Sequence, residues 1–226
     1  MQRHLDLELD DLKQKLLRMG AAVEDQIQTA LRALIDRDSA LAQRVIENDL
    51  RVNTFDVQID EDSLRLLALH QPTAKDLRFI TTAMKISTEL ERMSDLAENI
   101  AKRALELNQE PQLKPYIDIP RMGTWSLRMV KESLDAFVNA DAGLARKVCA
   151  DDDFVDDLTQ QLFRELLSFM LENPTTITRA IRLTFIGKYI ERIADHATNV
   201  AELIVYLAEG KIIRHTVPSV SPSPDA

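Results

Sequence analysis

Apolar residues recur along this chain in alternating steps of three and four. The first run is Leu5, Leu9, Leu12, Leu16, Met19 and Val23. A second follows at Leu41, Val45, Val52, Phe55, Ile59, Leu66 and Leu69, with Asn48 and Asp62 falling on the same seam. A third runs through Phe79, Ala83, Ile86, Leu90, Met93, Ala97, Ile100, Ala104 and Leu107. Such steps place a narrow apolar stripe on one side of a helix, the pattern of packed bundles. Each run covers about 30 residues, or about 45 Å of helix. The breaks near residues 36–39 and 70–73 are short, so neighbouring helices are expected to be antiparallel. Residues 1–110 read as a three-helix bundle.

The second half repeats the first. Leu144, Val148, Asp151, Val155, Leu158, Leu162, Glu165 and Phe169 follow Leu41 through Leu66 at a constant offset of 103. The polar interruptions recur too, Asn48 with Asp151 and Asp62 with Glu165, and seam polar groups of this kind specify register more often than they bind ligands. Leu183, Ile186, Ile190, Ile193, Ala197, Val200, Ile204 and Leu207 track Ala83 onward at an offset of 100. Pro111, Pro115 and Pro120 cluster between the halves, and Pro218, Pro222 and Pro224 fall near the end. The expected fold is all-α: two tandem repeats of an antiparallel three-helix bundle, six helices and no sheet. The boundaries fall at 1–110, a Pro-rich linker at 111–120, a second bundle at 121–213 and a disordered tail at 214–226.

Composition sharpens this. The 226 residues contain five Gly and eight Pro, too few for the turns that a sandwich, barrel or doubly wound sheet of this size needs. A formal net charge of −9 makes the chain a poor partner for nucleic acid and for a bare anionic lipid surface, while it favours cations. Cys149 is the one cysteine, so no internal disulfide forms, which fits a reducing compartment. It reads as a small buried residue rather than a nucleophile. No apolar run reaches the ~18 residues of a membrane span, and the charged opening stretch lacks a signal-peptide core. A cytoplasmic protein is expected.

Candidate chemistry sits in the third helix of each repeat. TELERMSDLAENIA (88–101) and KYIERIADHATNVA (188–201) share Glu-Arg-x-x-Asp with Asn four residues on: Glu91, Arg92, Asp95, Asn99 and Glu191, Arg192, Asp195, Asn199. Carboxylates at i and i+4 share a helix face and repel. Kept in phase in both repeats, they call for a counter-charge, either Arg or a hard or borderline metal ion. The second helices add Asp49, Asn53 and Asp56 in one repeat and Asp152 and Asp156 in the other. Arg92, Arg192, Asn99 and Asn199 could steady such ligands from outside. His196 stands where the first repeat has Leu96, which argues against a shared role. No Glu-x-x-His, P-loop or GxGxxG occurs, and four His with one Cys make no usual zinc site. Gly187, inside the last helix four residues before Glu191, suggests close helix approach.

The doubled DLERIADHA-type segment resembles the PhoU family of phosphate-specific transport accessory proteins. RLLALHQPTAKDLRFITTAMKISTELERMSDLAENIAKRA looks like that family's first repeat and TFIGKYIERIADHATNVAELIVYLAEG like its second, and the similarity covers about residues 1–213. The resemblance implies a cytoplasmic, non-enzymatic negative regulator, peripheral to the inner face of the membrane through its partners. Those partners are a phosphate ABC transporter subunit and a sensor histidine kinase, with a homodimer as the expected assembly. It also implies metal ions on the E(D)xxxD motifs, here Glu91, Asp95, Glu191, Asp195, Asp49, Asp152 and Asp156. Iron, zinc, manganese and magnesium all stay open, and Asn53 breaks the acidic pattern of the first site. The rival readings are a metal-dependent hydrolase using the same carboxylates and a purely structural scaffold in which Arg92 and Arg192 balance the acids.

Overall fold

The structure, a computed structural model, describes residues 4–213. Among these are six long helices and no strand: α1 (His4–Ile35), α2 (Ser39–His70), α3 (Ala74–Asn108), α4 (Asp118–Asn139), α5 (Ala142–Glu172) and α6 (Ile177–Glu209). A single 3₁₀ turn, Pro174–Thr176, leads into α6. The expected all-α fold of two three-helix repeats is what forms. The expected disordered tail at 214–226 lies outside the described residues. Helix α4 begins at Asp118, so Pro120 sits in its first turn, where its missing N–H costs nothing.

The turns repeat as the seams do. Asp38 accepts hydrogen bonds from the Ala40 and Leu41 amides to start α2, and Asp141 accepts one from Leu144 to start α5. Just before each cap a non-glycine residue takes the left-handed conformation, Arg37 at φ 56° and Ala140 at φ 49°. Arg37 has a use for its position. Its guanidinium donates to the Leu107, Asn108 and Glu110 carbonyls, satisfying acceptors at the open end of α3.

One expectation about the seams is corrected. Asn48 is exposed, and the buried positions on α2 run Ala42, Val45, Asp49, Val52, Ile59, Ser63 and Leu66. Asp62, Asp151 and Glu165 lie at helix edges, where Lys15, Arg128 and Lys114 pair with them. The alternating steps located the stripe to within one residue. A one-residue shift turns a helix by about 100°, enough to exchange core for rim.

Helices α1–α3 pack together, as do α4–α6, and the halves meet through α1 against α4 and α3 against α6. Among the described residues α2 and α5 touch only their own repeat and form the outer flanks. The α1–α4 contact is reciprocal. A Cβ at Gly20 would lie 2.6 Å from Leu134 Cδ1, and one at Gly123 would lie 2.5 Å from Leu31 Cδ1. Gly20 and Gly123 are equivalent by the offset of 103, and so are Leu31 and Leu134. Each leucine is buried over the glycine of the other repeat.

Gly20→Val and Gly123→Val should each destabilise the protein by about 1–3 kcal/mol through overpacking, read as a lower urea midpoint. Adding Leu134→Ala to Gly20→Val should recover part of that loss. Destabilisation untouched by the second change would show that the strain lies elsewhere.

Candidate metal-binding site

Each repeat gathers its carboxylates between an outer and an inner helix. In the first, Asp49, Asn53 and Asp56 descend α2 while Glu91, Asp95 and Glu98 line the facing edge of α3. Asp49 is buried, Glu91 half-buried and Asp95 exposed. Both Asp49 oxygens are occupied: the Ser94 hydroxyl donates to one at 2.8 Å and the Asn53 amide to the other at 2.8 Å. Asp56 accepts a 2.6 Å hydrogen bond from Ser87. Burial, then the charges of Asp95, Asp56 and Asp49, raise the pKa of Glu91. Burial, then Asp49 and Glu98, raise that of Asp95, while Lys102 opposes them.

The second repeat brings together Asp152 and Asp156 of α5 with Glu191 and Asp195 of α6. Here the donors are gone. Ala194 stands where the first repeat has Ser94, and Asp156 where it has Asn53. Asp152 Oδ1 is left buried without a hydrogen-bond partner. Desolvation, then the charges of Asp195, Asp156, Asp153 and Glu191, push its pKa from 3.8 up to about 7. Asp156 is raised by burial and by Glu191 and Asp195, and Asp195 by burial and Glu191, with Lys188 opposing both. Lys188 bonds Glu191. Four carboxylates around one lysine, one of them with an orphaned oxygen, are a donor set that a hard or borderline cation suits. As they stand, no three or more His, Cys, Asp or Glu side chains among the described residues are arranged to hold a metal ion. The first repeat, with Asp49 already hydrogen-bonded, fits a cation less well.

The remaining sequence candidates divide. Arg92 lies 3.6 Å from Glu89 and also acts on Glu91 by charge. Arg192 acts on Asp195 through charge. Asn199 faces the other repeat, donating to Glu89 at 3.0 Å, and Asn99 makes no side-chain hydrogen bond among the described residues. His196, set aside at the sequence level, is buried with Nδ1 2.7 Å from Glu89 Oε2, a polar contact joining α6 to α3. Burial would raise the pKa of Glu89, but hydrogen bonds from His196 and Asn199 with the charges of His196 and Arg92 prevail and lower it. No sequence signal marks this pair, because its equivalents, Tyr189 and Leu96, do not repeat it. Cys149 is half-buried, and burial followed by the nearby Glu202 and Asp152 pushes its thiol up to about 11, so it stays protonated at neutral pH.

The PhoU domain is matched twice, over residues 16–104 and 119–204. A phosphate-specific transport system accessory protein PhoU homolog of Aquifex aeolicus is 45% identical, over 92% of this chain and 94% of that protein. The corresponding homolog of Pseudomonas aeruginosa is 41% identical, over 94% of this chain and 88% of that protein. A crystal structure of PhoU from Pseudomonas aeruginosa superposes with a TM-score of 0.89 over 92% of this chain and 100% of the other, at 41% identity. The phosphate transport system regulatory protein PhoU from Streptococcus pneumoniae gives 0.88 over 93% and 99%, at 33% identity.

The raised pKa of Asp152 has a direct consequence. Folded, this group keeps its proton to about pH 7, whereas the unfolded chain releases it near 3.8. Between those values the folded state holds more protons, so this residue's contribution to metal-free stability falls as pH rises across that window. In EDTA, Asp152→Asn should match the parent in melting temperature near pH 4 and exceed it above pH 7. A difference that does not grow with pH would contradict the assignment.

Proposed function

The chain belongs to the PhoU family, and from that membership, together with the two acidic clusters, we propose that it is a non-catalytic regulator of phosphate uptake and phosphate-starvation signalling. The observation that carries the reading is the match to accessory proteins of the phosphate-specific transport system over nearly the whole chain. The mechanism we favour is docking of helix faces on a transporter subunit and on a sensor kinase in the cytoplasm, with a homodimer as the working assembly. Among the described residues no helix is long and apolar enough to cross a membrane, so protein partners would bring the chain to the transporter.

The protein's own residues supply two elements of this mechanism. The α1–α4 and α3–α6 contacts hold the repeats together, so that α2 and α5 stay on the flanks. The second-repeat carboxylates, Asp152, Asp156, Glu191 and Asp195, repel one another and would hold a cation, with Glu91, Asp95 and Asp49 as the lesser site. A bound metal ion would neutralise the cluster and tie α5 to α6. Nothing in this role calls for a nucleophile, and the Cys149 thiol is held protonated.

Two measurements test the reading. Deleting the protein should leave phosphate-regulated genes switched on in high phosphate, and normal repression would count against it. Native protein should carry metal that Glu191→Ala/Asp195→Ala largely removes and Glu91→Ala/Asp95→Ala removes less. Unchanged metal content in both double variants would sink the site. Phosphoester turnover by pure protein that Glu191→Ala abolishes would favour a hydrolase instead.

A further inference from the structure

The outer side of α5 and α6 carries an apolar surface that the bundle does not need. Phe163 is 50% and Phe185 46% exposed. With Thr159, Thr184 and Lys188 they line a hollow of about 550 Å³ between the two helices, and the buried Leu162 and Gly187 also border it. A Cβ on residue 187 would lie 2.7 Å from Leu162 Cδ2, so glycine lets α5 and α6 close here. Leu167 and Ile181, one turn further along each helix, are exposed as well. The equivalent first-repeat positions of Phe163, Leu167, Ile181 and Phe185 hold Asp60, Leu64, Thr81 and Lys85. The exposed aromatic pair is therefore peculiar to the second repeat, and an exposed patch of this kind marks an interaction surface.

Shape and charge select the occupant. The walls are helices whose backbone groups bond within themselves, so there is no strand edge for an extended peptide to join. From Glu191 to Ile181 the groove runs about 15 Å, near three turns of helix. One end is acidic: Asp156 and Glu191 line the hollow, with Asp152 and Asp195 a turn beyond. Lys188 bonds Glu191 and Arg192 acts on Asp195, and Arg164 borders the hollow on α5.

We propose that the α5–α6 groove receives an amphipathic helix of a partner protein, its apolar side chains against Phe163 and Phe185 and a lysine or arginine at its end over Asp156 and Glu191. This rests on the adaptor reading only in that an adaptor needs a docking face, and the basic end would take the place of a cation at Asp156 and Glu191.

The test uses the full chain in EDTA and a fluorescein-labelled helical peptide of about 18 residues, with leucines at i, i+3, i+4 and i+7 and two lysines at one end. Binding is followed by anisotropy. Phe163→Asp and Phe185→Asp should each weaken it about tenfold or more, while Leu64→Asp in the first repeat leaves it unchanged. Asp156→Asn/Glu191→Gln should weaken it several-fold at low salt, and the difference should vanish near about 0.5 M salt. Replacing the peptide lysines with glutamates should do likewise without altering the protein. Circular dichroism checks that each variant keeps its helices. No binding, or equal binding by the parent and both phenylalanine variants, overturns the proposal. So does a stable dimer in sedimentation velocity that Phe185→Asp dissolves, since a second copy would then own the groove.

Discussion

Leu31 over Gly123 and Leu134 over Gly20 set how near the two repeats can come. A glycine inside a helix costs about 1 kcal/mol against alanine, and here the missing side chain is the space each leucine fills. Alongside the α1–α4 contact, α3 and α6 make the broader contact between the repeats, and there His196 reaches Glu89. The outer helices, α2 and α5, are left with neighbours on one side only. Each acidic cluster thus lies between an inner and an outer helix, half-buried and still open to solvent.

That setting makes the carboxylates costly in different degrees. In the first repeat Ser94 and Asn53 hydrogen-bond Asp49, so its charge is stabilised locally. In the second, alanine and aspartate stand at those two places, and Asp152 keeps its proton to near neutrality. The two differences leave Asp49 hydrogen-bonded and Asp152 without a donor, while carboxylates repel one another in both clusters. The same backbone supports both, because the difference lies in donors rather than in packing.

Most of the fold was legible in the sequence because packing repeats. The steps of three and four marked the helices, and the constant offset exposed the duplication. The limits were physical as well. Steps of three and four fix the phase of a stripe only to one residue, and the buried position is Asp49 rather than its neighbour Asn48. The acidic motif pointed to all four second-repeat carboxylates, yet not to the orphaned oxygen of Asp152, which depends on a missing hydroxyl across the groove. Gly187 was rightly read as a sign of close approach, but its partner, Leu162, emerges only from three dimensions. Glu89 and His196 leave no mark in the repeat pattern, since their pairing occurs once.

The reciprocal contact of α1 with α4 has the form of a surface meeting a copy of itself. One three-helix chain with glycine and leucine eleven residues apart would make both contacts by pairing with its twin about a twofold axis. Joined in tandem, the copies keep that contact and lose the obligation to be identical. In a symmetric pair, every change at one acidic cluster is also made at the other, and every charge facing the interface occurs twice. A single tandem chain is free of that restriction. One half carries Asn53 and Ser94 while the other carries Asp156 and Ala194, and Glu89 faces His196 without a second copy of either. Covalent linkage is what allows the two ends of this protein to differ across a contact that is itself symmetric in form.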